Sequence, residues 1–389
     1  MRVLWRFVVA GALLGTPHVA GACGSAGSHA NAAQPACRER LTDPRYVRAA
    51  ATVRPLVRRL HRGLRAPGLQ VAVAIDGDVV WRVACGLADA KSRRPVTETT
   101  RFRIGSVTKP LTAVALARLA EERAVDVDAP IQRYVPSFPR KGDKITLREL
   151  GGHLAGIRHY ESPTEVVNRR HFASLTDALA VFANDQLVAE PRSRFSYSSF
   201  GFVLIGAALE AAARDRYDSL MQRYVLRPSG MTHTSLATKP LPSKATFYEV
   251  RDDAGYRRAP PIDLSDRLPA AGYLSTASDL SRFGSLVAGP RLLSPASRTL
   301  LFAAQKTKSG APTGYGVGFE IHPSQRGLFV GHTGSVDGGT AAILIHPASR
   351  AAIGLTTNLG YVTAASPPPP AKGTPDPPAL LIPFIEARR

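Results

Sequence analysis

Strand-forming segments occur towards both ends of this 389-residue chain, and helix-forming segments separate them. Two apolar runs, 69–75 and 79–85, flank the turn Asp76-Gly77-Asp78, which is a pattern typical of a β-hairpin. Further runs with strand character fill the last third, at 316–322, 328–333, 340–346 and 351–358. One sheet must then be assembled from segments that are far apart in the chain. The sequence therefore predicts an α/β (α+β) fold, with an antiparallel sheet flanked by helices and an all-α lobe inserted at about 124–268.

The other periodic segments are predicted to be helices that cover this sheet or fill the inserted lobe. Apolar residues recur at helical spacing in 46–64, 106–122, 147–153, 175–183, 202–214, 218–225 and 277–287. The Pro-rich stretch 366–378 is expected to be an extended loop, after which a terminal helix at about 379–389 returns to the sheet. The folded domain is expected to span residues 43–389.

The first 22 residues have the pattern of a secretory signal peptide. Arg2 and Arg6 form a basic start, 7–14 is an apolar core, and 20–22 supplies the small residues of a cleavage site. The apolar core is too short to span a membrane. We therefore expect export to the periplasm or cell envelope.

The cysteines leave two questions open. Cys23 directly follows the predicted cleavage site, which makes it a candidate for lipidation, and the alternative is ordinary cleavage that leaves a thiol. Residues 23–42 are expected to be a linker. Cys37 and Cys85 either form a disulfide, which an exported protein permits, or Cys85 is a buried thiol in an apolar strand.

The chain is strongly basic, with 50 Lys and Arg against 30 Asp and Glu and a net charge of +20. Such a charge raises the possibility of a nucleic-acid partner. However, the most basic segment, 57–65, has no aromatic residues for base stacking and follows an export signal. No nucleic-acid role is therefore predicted. An anionic cell-envelope surface is the partner that this charge favours instead.

Ser106 and Lys109 form an S-x-x-K pattern at the start of an apolar helix, directly after a strand signal. Residues three apart lie on one helix face, so the two side chains are neighbours. The helix dipole favours negative charge developing on the Ser106 oxygen, and a desolvated lysine can accept a proton. The alternative is a capping serine beside a solvated lysine.

Two further segments carry groups of the same chemistry. Tyr197 lies in a loop before an apolar helix, where a lysine could drive its phenol towards phenolate for proton relay. Within 331–335, His332 supplies a group whose charge is expected to change near neutral pH, and Gly334 allows a substrate backbone to approach. The backbone N–H groups of Ser106 and Ser335 are expected to form an oxyanion hole.

In this order and spacing, the three segments resemble the serine β-lactamase and penicillin-binding protein family, across about residues 46–360. Stretches such as GIRHYE and FANDQL are most similar to the serine β-lactamase-like subgroup known from mitochondria. The sequence departs from many members of the family at two positions. Ser199 stands where an asparagine is common, and His332 stands where β-lactamases often have a lysine. Both changes weaken the expectation of efficient β-lactam hydrolysis.

The resemblance implies a serine hydrolase that forms an acyl-enzyme on Ser106, with Lys109 and Tyr197 as proton-transfer groups. Ser106, Ser199, His332, Thr333, Gly334 and Ser335 are the residues expected to form the oxyanion hole and substrate site. The substrate is expected to be a small peptide, an ester or a β-lactam-like compound, with a peptidase-like activity favoured and no metal or other cofactor required. A non-catalytic envelope protein that binds peptidoglycan fragments is the alternative from another class. The oligomeric state cannot be read from the sequence.

Overall fold

A computed structural model describes residues 37–238, 241–250, 255–360 and 375–388. The predicted signal peptide, Cys23 and most of the Pro-rich stretch lie outside these residues. Within them, no helix combines the length and the apolar character needed to cross a membrane.

Strands occur in the N-terminal and C-terminal thirds and, as short pieces, in between. In chain order they are β1 (Arg38–Leu41), β2 (Gly68–Ile75), β3 (Asp78–Asp89), β4 (Arg94–Pro95), β5 (Phe102–Arg103), β6 (Ser235–Leu236), β7 (Tyr248–Val250), β8 (Tyr256–Arg258), β9 (Tyr273–Ser275), β10 (Glu320–Ser324), β11 (Gly327–Val336), β12 (Gly339–His346), β13 (Ala351–Thr357) and β14 (Leu359–Gly360).

The main sheet joins strands from both ends of the chain, as the sequence predicts. Its order is β1-β3-β2-β13-β12-β11-β10, with β4 paired to β3, and each neighbouring pair is antiparallel. The hairpin β2–β3 turns at Asp76 and Gly77, which both have positive φ, at 53° and 91°. Two such residues form the tight turn that suits the twist of paired strands.

Helices cover both faces of this sheet and build the inserted lobe. In chain order they are α1 (Val47–Leu64), α2 (Thr108–Glu121), α3 (Leu147–Gly151), α4 (Pro163–Val166), α5 (Leu175–Leu179), α6 (Ser199–Ala213), α7 (Tyr217–Met221), α8 (Leu268–Ala271), α9 (Ala277–Val287), α10 (Pro295–Phe302) and α11 (Pro377–Ala387). Helices α1 and α11 share one apolar core with β2 and β3, whereas α2, α6 and α9 share a larger core on the other face. Because α2 and α6 pack in this larger core, it also supports the segments that carry Ser106 and Tyr197.

The folded unit begins earlier than residue 43, so the predicted linker 23–42 is too long at its C-terminal end. Strand β1 pairs with β3, and Cys37 just before it forms a disulfide with Cys85. The Trp81 indole N–H also donates to the carboxylate of Glu39, at 2.8 Å. A hydrogen-bonded edge strand with a covalent cross-link belongs to the domain.

Three other predictions differ from the structure. Strand β10 begins at Glu320, because 316–319 form a tight turn in which Gly318 has a φ of 77° and leaves no room for a Cβ against Ala113 of α2. The predicted all-α lobe also contains the short strands β6, β7 and β8, which pair with β9 and β14. The terminal helix begins two residues earlier than predicted, because Asp376 caps it and the first turn of a helix tolerates prolines.

Candidate active site

Ser106 lies in a single 3-10 turn, Gly105–Val107, which leads directly into α2. Gly105 has a φ of 49°, and a Cβ there would lie 2.9 Å from the backbone nitrogen of Ser335. A Cβ on Gly334 would likewise lie 2.9 Å from the backbone nitrogen of Ser106. The two glycines therefore let this turn pack directly on β11, and this packing places the backbone nitrogens of Ser106 and Ser335 close together.

Lys109 is completely buried and lies one helical turn after Ser106. Its Nζ is 2.9 Å from Ser106 Oγ, 3.1 Å from Ser199 Oγ and 3.3 Å from the Ala270 carbonyl oxygen. Burial, followed by the positive charge of Arg267, lowers the pKa of Lys109 well below its ordinary value.

A neutral lysine fits these three contacts. Its two N–H groups can donate to Ala270 and Ser199, which leaves its lone pair to accept the proton of the Ser106 hydroxyl. This geometry would let a neutral Lys109 accept the Ser106 proton. Ser199, in the position where many relatives have asparagine, is itself buried and contacts the lysine rather than open space.

Tyr197 approaches the same oxygen from the opposite lobe and donates its hydroxyl proton to Ser106 Oγ at 2.9 Å. Burial raises the pKa of its phenol well above the ordinary value, and the hydrogen bond to Ser106 only partly offsets this effect. The expectation of a phenolate is therefore wrong for the free protein. Tyr197 is a neutral donor, and its proton is available for a leaving group.

Two histidines, the buried His153 and the half-buried His159, hold the loop that carries Tyr197. His153 Nδ1 accepts from the Ser198 backbone N–H at 3.1 Å, and His159 Nδ1 accepts from that of Ser199 at 3.3 Å. The His153 ring also lies 4.3 Å from the Tyr197 ring, between centroids. Burial lowers the pKa of both histidines, of His159 to about 3, so both are neutral acceptors. Their role is to position the loop, and the described residues contain no cluster of His, Cys, Asp or Glu that suits a metal ion.

His332 is buried in β11, and its two ring nitrogens already have partners. Nε2 lies 2.7 Å from the Tyr315 hydroxyl, and Nδ1 lies 2.5 Å from the Thr333 carbonyl. Burial lowers its pKa to about 4, although the carboxylate of Glu320 opposes this shift. The expectation that His332 changes charge near neutral pH is therefore wrong, because the imidazole is neutral there. It supports the strand from behind, whereas Thr333 is half-buried and Ser335 is exposed.

Glu320 and His322 in β10 are site residues that the sequence reasoning missed. Glu320 accepts from His322 Nε2 at 3.2 Å and from the Thr333 hydroxyl at 3.4 Å. Burial is the largest effect and opposes ionisation of Glu320. The hydrogen bonds from His322 and Thr333 and the electrostatic attraction of the two nearby histidines together outweigh it and keep the pKa below its ordinary value. Glu320 and His322 are two residues apart in a strand and therefore lie on one face, and this spacing was the signal that the sequence offered.

A buried arginine holds the turn that follows β11 through a backbone carbonyl. The Arg103 guanidinium donates to the Asp337 carbonyl at 2.6 Å, two residues from Ser335. Burial and the charge of Glu249 raise the pKa of the Asp337 carboxyl to about 6. The position of the turn that follows β11 thus depends on a charged group just below the site.

Known proteins have similar sequences. A family model described as Beta-lactamase matches residues 53–369. The human mitochondrial serine beta-lactamase-like protein LACTB is 30% identical over 309 residues, which are 62% of this chain and 56% of LACTB. Penicillin-binding protein 4* of Bacillus subtilis is 26% identical over 296 residues, covering 69% of this chain and 63% of that protein. The chain thus spans less than two thirds of the length of these relatives.

Solved structures agree on the fold. The structure of a penicillin-binding protein homologue from Pyrococcus abyssi superposes with a TM-score of 0.70 at 24% identity, and covers 82% of this chain and 74% of that one. The matched residues include Ser106, Lys109, Tyr197 and the β11 segment. The chain therefore belongs to the β-lactamase family, within the superfamily of serine β-lactamases and penicillin-binding proteins.

Proposed function

We propose that the protein is a serine hydrolase that cleaves amide or ester bonds through an acyl-enzyme on Ser106, with a peptidase-like preference. The main observation that supports this proposal is that Ser106 Oγ lies 2.9 Å from both Lys109 Nζ and Tyr197 Oη. One neutral amine and one neutral phenol on the same hydroxyl form a base and an acid ready for use. Membership of a family of serine hydrolases supports the same reaction class.

In the first step, Ser106 Oγ attacks the carbonyl carbon and its proton passes to the lone pair of Lys109. The carbonyl oxygen gains negative charge between the N–H groups of Ser106 and Ser335, which belong to two elements packed against each other. No rearrangement is needed, because the close packing of Gly105 and Gly334 already fixes both donors.

In the second step, the leaving nitrogen or oxygen takes a proton from Tyr197. The proton that Lys109 accepted from Ser106 then returns to the phenolate through water, which leaves Lys109 neutral again. Water then attacks the acyl group, with the neutral Lys109 as base, and Ser106 is released. The reaction needs only groups that the described chain supplies.

The proposed substrate preference follows from Ser199 and His332, the two positions at which this chain differs from many members of the family. Ser199 is occupied with Lys109, and His332 is neutral, so neither offers the amide or the cation that many β-lactamases present. A peptide amide or a simple ester is therefore favoured over a β-lactam. A panel of internally quenched peptides, a D-Ala-D-Ala peptide, a short-chain nitrophenyl ester and a chromogenic cephalosporin measures this order directly.

The test of the reaction itself is covalent labelling by a serine-directed acylating probe, read by intact mass. The wild type should gain one adduct, and Ser106→Ala should gain none and lose turnover. Ser309→Ala, at an exposed loop serine, is the matched control and should behave as wild type. Equal labelling of Ser106→Ala would refute the proposal.

We also propose that the protein is exported and that the basic face of α1 lies against an anionic envelope surface. A disulfide between Cys37 and Cys85 suits an oxidising compartment. Arg58 and Arg59 are exposed on α1, on the sheet face opposite the core that holds α2. Cell fractionation tests export. Sedimentation with phosphatidylglycerol vesicles tests binding to an anionic surface. Charge reversal at Arg58 and Arg59 should reduce this binding more than charge reversal at Arg214 and Arg216 of the lobe.

A further inference from the structure

The candidate active site carries few ionised groups, although the chain as a whole is strongly basic. Burial lowers the pKa of Lys109, His153, His159 and His332, so these four potential cations around Ser106 are neutral near pH 7. The carboxylate of Glu320 is different, because its pKa is held below the ordinary value. The side of the site next to β10 is therefore negative.

Glu320 has no strong cationic partner in the described part of the chain. Its charged-group neighbours are two histidines, His322 at 3.2 Å and His332 at 3.9 Å, and no lysine or arginine lies within 4.0 Å. Its other donors are the Thr333 hydroxyl at 3.4 Å and the Thr333 backbone N–H at 3.5 Å, both long for hydrogen bonds. Burying an ionised carboxylate with only weak hydrogen-bond partners costs free energy, and a cation bound beside it would reduce this cost.

The carboxylate also lies at the part of β11 along which a substrate would extend. Strand β10 pairs with β11 only as far as Gly331, so it leaves the outer edge of residues 332–336 unpaired. Thr333, which contacts Glu320, is two residues before Ser335 of the oxyanion hole. At the rise of a strand this is about 7 Å, the length of roughly one substrate residue.

We propose that Glu320 forms a binding subsite for an ammonium group of the substrate, so that the preferred substrates carry a free amine close to the bond that is cleaved. This inference rests on the proposed hydrolase function and narrows its substrate class. Amino-acid amides, amino-acid esters and peptides with a free amino terminus have this chemistry.

The same charge acts against the opposite class of substrate. A carboxylate placed near Thr333 would meet the charge of Glu320 and no compensating cation, because His332 is neutral and already bonded on both nitrogens. Like charges in a site of low polarity repel strongly. Substrates that end in a carboxylate near the cleaved bond should therefore be disfavoured.

The experiment uses three anilides of one amino acid that differ only at the amino group: the free amine, the N-acetyl derivative and the N-succinyl derivative. The assay pH is 6.5, where an α-amino group is mostly charged. Wild-type kcat/KM should be highest for the free amine and lowest for the succinyl derivative. Equal values, or a preference for the succinyl derivative, would overturn the inference.

Variants locate the effect. In Glu320→Gln, which keeps the shape, the ratio of kcat/KM for free amine over acetyl should fall about tenfold to a hundredfold, mainly through KM, and the succinyl derivative should improve relative to acetyl. Glu386→Gln, an exposed glutamate on α11, is the charge-matched control and should keep the wild-type ratios. Unchanged ratios in Glu320→Gln would refute the assignment. Absence of both turnover and Ser106 labelling in the wild type would instead refute the hydrolase function itself.

Discussion

Replacing Lys109 with methionine tests the central feature of the site, a buried lysine that serves as a neutral base. The change removes the lone pair that accepts the Ser106 proton and leaves an unbranched side chain that is one atom shorter. General-base catalysis contributes about a hundredfold to ten-thousandfold to the rate, so kcat/KM for a nitrophenyl ester should fall by at least about a hundredfold. Acylation of Ser106 by a covalent probe should slow in parallel, because the same proton must leave.

The stability cost of this substitution should be small. Ser199 Oγ and the Ala270 carbonyl each lose a donor, at about 1 kcal/mol each. The variant also no longer buries an amine, and its thioether would lie among the rings of Tyr197 and Phe202, which are 4.9 and 5.6 Å from the lysine nitrogen. The free energy of unfolding should therefore fall by about 2 kcal/mol or less, which is a few degrees in Tm.

The assay compares initial rates, labelling rates and thermal unfolding for wild type, Lys109→Met and Lys91→Met. Lys91 is exposed in the turn after β3, so its variant should match wild type in all three measurements. A folded Lys109→Met protein with more than about a tenth of wild-type activity would refute the role of Lys109, since a lost general base costs far more.

The pH dependence gives a second measure of the same feature. Because the neutral form of Lys109 is the active one, kcat/KM should fall on the acidic side as the amine becomes protonated, and it should stay high through pH 8, well below the ordinary lysine pKa. Activity that appears only near pH 10 would show that the lysine has an ordinary pKa, and the account of its burial would be wrong.

Three other changes have defined outcomes. Tyr197→Phe removes the hydroxyl donor to Ser106, so kcat should fall about a hundredfold, more for amides, whose leaving group needs a proton, than for nitrophenyl esters, as steady-state kinetics on both will show. The pKa of Asp337 is raised from 3.8 to about 6, so its contribution to stability is present below pH 4 and is lost as the pH rises through 6. In the wild type, the free energy of unfolding should therefore fall by about 3 kcal/mol over this range. Denaturant unfolding of Asp337→Asn should not show this fall. Replacing Cys37 and Cys85 together should lower the free energy of unfolding by about 4 kcal/mol, because the closed loop spans 48 residues, and unchanged unfolding curves would contradict this.

The sheet and its flanking helices could be predicted because their signals are local. The hairpin at Asp76 and Gly77 and the helix α9 from Ala277 to Val287 follow from turn chemistry and apolar spacing alone. The start of β10 could not be predicted in this way. Its position depends on Gly318 passing against Ala113 of α2, a contact between segments about two hundred residues apart.

The residue types of the site could also be predicted, since Ser106, Lys109, Tyr197 and the β11 segment are all recognisable in the sequence. Their protonation states could not. Whether His332 is a cation or a neutral imidazole depends on how deeply β11 is buried and on Tyr315, which comes from a different segment. Glu320 was missed because nothing next to it in the sequence shows that its side chain reaches Thr333.

Burial, more than the S-x-x-K spacing, makes Lys109 a base. The spacing places the amine beside Ser106, and the same spacing on an open helix would give a solvated, charged lysine with no capacity to accept a proton. Here Ser199 and Ala270, which are 90 and 161 residues away in the sequence, close over the amine and accept its two hydrogens. Ser199 lies within the inserted lobe and Ala270 follows it directly, so the chemistry of the serine depends on the packing of that lobe against the sheet. A substitution that loosens this packing, even far from Ser106, should raise the pKa of Lys109 and move the acidic limb of the activity profile towards neutral pH.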